Sequence, residues 1–264
     1  MINPSALFRS PRYRRVRSGE TQEVKPADPG VPWLLPFVLS TVAGYVDGCT
    51  YLGLFGLFVA QATGSFVLLG LQLITHERDA IAILLAVPAF ILAGMSVTLL
   101  VSLMKKRPRT ALAISLLLEA MLLIGFLLAW LWGHPFGGPD EPGALVALIF
   151  AMTAMGAQSA TVRLLMRGVP STNVMTTNST LFAINVVELA LLLRDEDDAS
   201  QAERRKARTE LFMLVLVGFG FFVGVLLGAI AYMTMGLACV LLAVMPVVGA
   251  AAWAMYRADV SASA

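Results

Sequence analysis

The sequence predicts an all-α polytopic membrane protein: six transmembrane helices plus two re-entrant or broken helical segments, arranged as an inverted repeat. Long apolar runs, the placement of the positive charges and a weak internal similarity carry that expectation. The 264-residue chain is 58% hydrophobic and 14% charged, with a mean hydropathy of +0.79. A soluble domain averages about 45–50% apolar and about 25% charged. Eight apolar runs cover 33–53, 54–75, 80–104, 110–132, 143–162, 170–193, 211–233 and 236–256. Each is close to the roughly 20 residues a helix needs to cross about 30 Å of hydrocarbon.

Ahead of the first run, residues 1–32 are polar and proline-punctuated, with Arg9, Arg12, Arg14, Arg15 and Arg17. No apolar core of 7–15 residues follows those arginines, so a secretory signal is not expected. The composition reads as a disordered cytoplasmic arm able to lie on anionic headgroups, with no nucleic-acid role. Trp33 suits an interfacial anchor, and Pro32 and Pro36 suit the first turn of a helix. The membrane domain then divides into a first repeat over 33–132 and a second over 143–256.

The positive-inside rule chooses among topologies. If all eight runs cross from a cytoplasmic N-terminus, 13 Lys and Arg lie inside and six outside. If 54–75 and 170–193 instead dip in and return, 18 lie inside and only Arg78 outside. The second arrangement is preferred. It gives six crossings with both termini cytoplasmic and puts the Lys- and Arg-free loop 133–142 outside.

Both dipping segments are polar in the way such backbone requires. Segment 54–75 holds Gln61, Thr63, Gly64, Ser65 and Gln72; segment 170–193 holds Ser171, Asn173, Thr176, Thr177, Asn178 and Asn185, among others. Irregular backbone at membrane depth survives only when buried in protein or facing a water-filled cavity. A full-length helix whose hydroxyls bond back to its own carbonyls is the plainer alternative.

The halves resemble one another. Gly44-Tyr-Val-Asp47 matches Gly156-Ala-Gln158-Ser159 at an offset of 112 residues, and Thr63-Gly64-Ser65 matches Thr177-Asn178-Ser179 at 114. Phe90-Ile-Leu-Ala-Gly94 matches Gly220-Phe-Phe-Val-Gly224. Three crossings per half is odd, so the second half is inverted, an architecture common among secondary transporters. Gly220, Gly224 and Gly228 line one helix face, for packing within the chain or between two copies as a homodimer. The basic run 204–208 is expected in a short surface helix between the last two polar and apolar segments.

Three acids fall within apolar runs: Asp47, Glu119 near mid-depth, and Glu188 nearer a membrane face. No Lys or Arg stands at comparable depth to pair with them. An intramembrane acid is costly and marks a functional candidate; it is neutralised by a proton, a cation, or donors such as Gln61 and Gln158. Asp47 is equally well read as an acid that hydrogen-bonds a helix break. Cys49 and Cys239 read as small buried hydrophobes; no disulfide framework, metal site or cofactor is expected.

Gly44-Tyr45-Val46-Asp47, Tyr51 and Phe58-Val-Ala-Gln61-Ala-Thr63-Gly64-Ser65 resemble the motifs of the YoaK family of bacterial inner-membrane proteins. The resemblance runs from about residue 33 to 256, with Ser65 where that family usually has Asn. It implies the membrane fold and no particular activity. Hydrolase, metalloprotease and nucleotide-binding motifs are absent, so an enzyme is not expected. The expected function is a small secondary transporter of a small solute, coupled to protons or cations. Asp47 and Glu119 are its candidate ion groups, with Gln61, Thr63, Gly64, Ser65, Gln158, Thr176, Thr177 and Asn178 lining the site. The alternative is a non-transporting structural or partner-binding membrane protein.

Overall fold

Glycine decides how these helices pair, because lipid gives them no hydrophobic reason to associate and close backbone approach must do so. The computed structural model describes residues 32–75, 80–194 and 201–262. The described chain is all α: α1 Leu34–Gly53, α2 Ala62–Thr75, α3 Ala80–Leu103, α4 Pro108–Gly133, α5 Pro142–Leu165, α6 Met175–Arg194, α7 Gln201–Met235 and α8 Val240–Ala262. A 3₁₀ turn, Gly236–Cys239, joins the last two. The arm at 1–31, Arg78 and the acidic run 195–198 lie outside the described residues.

Stretches long and apolar enough to cross a membrane are Leu84–Leu103, Pro108–Gly133, Pro142–Leu165, Met175–Leu193 and Glu203–Asp259, the last holding both α7 and α8. The chain is therefore a multi-pass membrane protein by helix length and composition. Its exposed side chains agree: Leu92, Met95, Leu99, Phe222, Ile230 and Met245 are each more than half exposed, as lipid-facing residues are. A shared core of buried residues runs from Leu35 to Ala254 and draws on both halves.

Helix directions follow from the glycine contacts. On α1, Gly44 meets the Phe221 backbone, Gly48 the Val225 backbone and Gly53 the Leu237 side chain, so α1 and α7 run parallel. In the same way, a Cβ at Gly156 on α5 would stand 2.5 Å from the Phe90 carbonyl oxygen on α3, and Gly94 faces Ala160, so α3 and α5 run parallel. Helices α4 and α5 form an antiparallel hairpin in which Gly133 abuts Gly143 and Gly125 abuts Phe150. Helix α8 returns antiparallel to α4, with Gly236 beside Trp130 at one end and Arg109 Nη1 donating to the Arg257 carbonyl (3.3 Å) at the other.

The directions of α1, α3, α4, α5, α7 and α8 thus alternate. One end of the bundle gathers Lys105 to Arg109, Arg163, Arg167, Arg204 to Arg208 and Arg257, with Arg194 a few residues before α7. At the other end sit the close of α1, the 133–142 loop and the Gly236 turn. Every Lys and Arg among the described residues lies at the first end, which we call the basic end.

Two departures from expectation concern the second half. Helix α6 is a continuous 20-residue helix long enough to cross, where a re-entrant or broken segment is expected, whereas α2 spans 14 of the described residues, about 21 Å, too short to cross alone. The basic run 204–208 is not a separate surface helix but the opening turns of the 35-residue α7. No Gly or Pro interrupts 201–217, and Glu210 pairs with Lys206 at 3.8 Å one turn away, so nothing stops the helix there.

Candidate functional site

The chain folds back on itself twice, and both times a polar side chain six residues from a helix end faces the returning segment. After α1, Phe55 (φ 54°) and Gly56 (φ 80°) turn the chain, a conformation glycine adopts without strain. The segment then re-enters the bundle, so that the Val59 and Ala60 N–H groups donate to Asp47 Oδ1 at 2.9 and 2.7 Å. Gln61 Nε2 donates to Oδ2 at 3.2 Å. Asp47 is 1% exposed. Its carboxyl therefore satisfies two backbone donors at the mouth of α2, where a helix dipole also favours negative charge.

The second fold-back follows α5, turning at Gly168 (φ 78°). Ser159 Oγ lies 3.4 Å from Asn173 Oδ1, which also accepts from Ser171 Oγ at 3.0 Å. Each returning helix then closes a bond to the residue seven places earlier: Ser65 Oγ to the Phe58 carbonyl (3.3 Å) and Asn178 Nδ2 to the Ser171 carbonyl (2.6 Å). Ser65 thus corresponds to Asn178, and Thr63 to Thr176. The sequence match at 63–65 stood one residue too late in the second half, because a Thr is available at both 176 and 177.

Deeper in the bundle, a second polar group has a different character. Gln158 is fully buried and donates through Nε2 to the Leu39 carbonyl at 2.6 Å, leaving Oε1 without a partner among the described residues. Beside Leu39, Ser40 Oγ donates to the Val217 carbonyl at 2.7 Å, with the Thr172 carbonyl at 3.2 Å. On α4, Glu119 is 0% exposed and neither carboxyl oxygen has a hydrogen-bonding partner among the described residues. Ser115, one turn earlier on the same face, is equally buried and its hydroxyl is likewise unpartnered.

The remaining candidates do not gather round one cavity. Thr63, Thr176 and Thr177 are exposed, while Gly64 is half-buried near the Phe58 ring. The extended packing of α2 is against α3, and that of α6 against α7; none joins α2 to α6. Asn178 lines a shallow groove of about 240 Å³ between α6 and α7, with Met175, Ser179, Phe182, Leu214 and Gly218. In this conformation, 61–65 and 176–179 stay apart.

Of the two readings of Gly220, Gly224 and Gly228, packing within the chain holds and the homodimer is corrected. Those glycines meet the backbone of α1 at Phe37, Thr41 and Tyr45, so the stripe is filled by the chain's own first helix. Composition could not reveal this, because a small-residue stripe looks the same whichever helix it receives. Also missed was Ser40, an ordinary polar residue whose role depends on helices far away in sequence, while Asn173 was named for its polarity and given no role. Contact between Cys49 and Cys239 was likewise not signalled by their spacing.

Alternating helices, glycine-mediated crossings and two anchored fold-backs define a polytopic α-helical membrane protein with a buried polar interior. Residues 35–253 match the family described as protein of unknown function DUF1275, and the chain belongs to that family. No curated protein and no solved structure matches it.

Proposed function

We propose that the chain is a small secondary transporter of a small solute, built as an inverted repeat and coupled to protons or another cation. The carrying observation is Glu119, an acid buried at the middle of α4 with neither oxygen partnered among the described residues. A carboxylate in that setting costs several kcal/mol unless a proton or cation accompanies it, and such acids mark ion and proton pathways. Asp47, the other candidate, already has three donors that account for it. Coupling therefore rests on Glu119, and Asp47 positions the first fold-back.

Supporting the repeat, α1 against α7 corresponds to α5 against α3, with Gly44 and Gly156 making matching backbone contacts. Segments 54–75 and 170–193 are read as entering and leaving the layer at the same end, one from each side. The basic end faces the cytoplasm of the inner membrane, as the positive-inside rule requires. The exposed hydroxyls of Thr176, Thr177, Ser179 and Thr180 favour a second reading, in which α6 receives a membrane partner and nothing is carried.

The test is proteoliposome uptake from a library of small solutes under an imposed pH gradient. Glu119→Gln is expected to abolish accumulation against a gradient while downhill exchange persists. Gradient-driven accumulation by the Gln variant overturns the coupling role, and no flux of any solute by the folded wild-type protein favours the partner-binding reading.

A further inference from the structure

The chain has two cysteines, 190 positions apart, and the structure brings them together. Cys49 lies near the end of α1 and Cys239 closes the 3₁₀ turn between α7 and α8; their sulfurs are 3.1 Å apart. Both are 0% exposed. Three further contacts hold this arrangement. Tyr45 Oη donates to the Cys239 carbonyl at 2.9 Å, the Cys49 thiol points to the Gly228 carbonyl at 3.4 Å, and Gly53 packs on Leu237. The pair is thus fixed by the same parallel α1–α7 contact that glycine makes possible.

We infer that Cys49 and Cys239 form a disulfide that staples the first helix of one half to the last hairpin of the other. A disulfide needs sulfurs at about 2.05 Å, so about 1 Å of further approach suffices from the observed contact. Both cysteines lie at the end of the bundle opposite the lysines and arginines. Under the orientation proposed above, that end faces the oxidising side of the membrane, where disulfides form and persist. The reaction is thiol–disulfide exchange. One cysteine thiolate attacks a disulfide oxidant on the outer face, giving a mixed disulfide. The second cysteine then displaces the oxidant as a dithiol. Two protons and two electrons leave the pair, and the oxidant takes up both. Because the sulfurs end fully buried, exchange occurs as the second half inserts, before α1 and α7 close over them. Thereafter the bond is shielded from reduction.

The full-length protein, extracted from membranes without reductant into an alkylating agent and then denatured, gives the decisive mass. The expected species is monomeric, unalkylated and lighter by two hydrogens than the reduced chain, and it takes two alkyl groups only after reductant is added. Two alkylated cysteines before reduction overturn the inference, as does a disulfide linking two copies. Because the wild-type chain is measured, the result does not depend on whether Cys49→Ser folds. The orientation is tested separately, by protease access to the 133–142 loop from the outer face, so a failed disulfide and a failed orientation are told apart.

Discussion

Asp47 and Glu119 are both acids buried in apolar helices, but their surroundings are opposite. Around Asp47 the chain supplies three donors, two of them backbone N–H groups that otherwise have no helical partner. Around Glu119 it supplies none among the described residues. Burial alone therefore does not identify a functional acid. The first group is explained by the structure it holds; the second costs stability and returns none of it as structure, which is the usual mark of a site kept for its chemistry.

Removing the Asp47 carboxyl should cost the most. Asp47→Ala leaves the Val59 and Ala60 N–H groups buried and unpaired, costing about 3–5 kcal/mol. Thermal or denaturant unfolding in detergent should show a large loss of stability. Protease sensitivity should appear first in 54–61, the segment that carboxyl holds. A variant as stable as wild type would remove the anchoring role.

Glu119 should respond with the opposite sign. Glu119→Met fills a similar volume and removes an unsatisfied polar group, which stabilises the bundle by about 1–3 kcal/mol. The same unfolding assay reads this directly. A destabilisation of comparable size would mean that Glu119 has a structural partner after all, and the contrast between the two acids would fail.

Much of this architecture was legible in the chain because membranes impose coarse rules. Apolar run length located the helices, and the distribution of Lys and Arg anticipated that those of the described helices would share one end. Asp47 and Gln61 were both flagged, and they meet. Partner identity was not legible. Gly224 receives Thr41 from 183 positions earlier in the chain, and periodicity carries no information on which helix fills a glycine groove. The register of the second fold-back failed for a local reason: adjacent threonines at 176 and 177 fit the pattern equally well, and only the Asn178–Ser171 bond distinguishes them. Nor could spacing separate a satisfied acid from an unsatisfied one, since two of the three donors to Asp47 are backbone groups common to every sequence.

In the other half, Ser159 occupies the place of Asp47 and should matter least. Its contact with Asn173 is long, at 3.4 Å, and Asn173 Oδ1 keeps Ser171 at 3.0 Å without it. The Ser171 carbonyl is in turn held by Asn178 at 2.6 Å. The second fold-back is thus anchored by a chain of neutral side chains with redundancy, whereas the first depends on a single carboxyl. Ser159→Ala should therefore cost less than about 0.5 kcal/mol in the same unfolding assay, with no new protease site in 166–174. A loss near that of Asp47→Ala would show that both fold-backs hang on one side chain each. The asymmetry between an ionisable anchor and a neutral one would then be chemical only and carry no difference in stability.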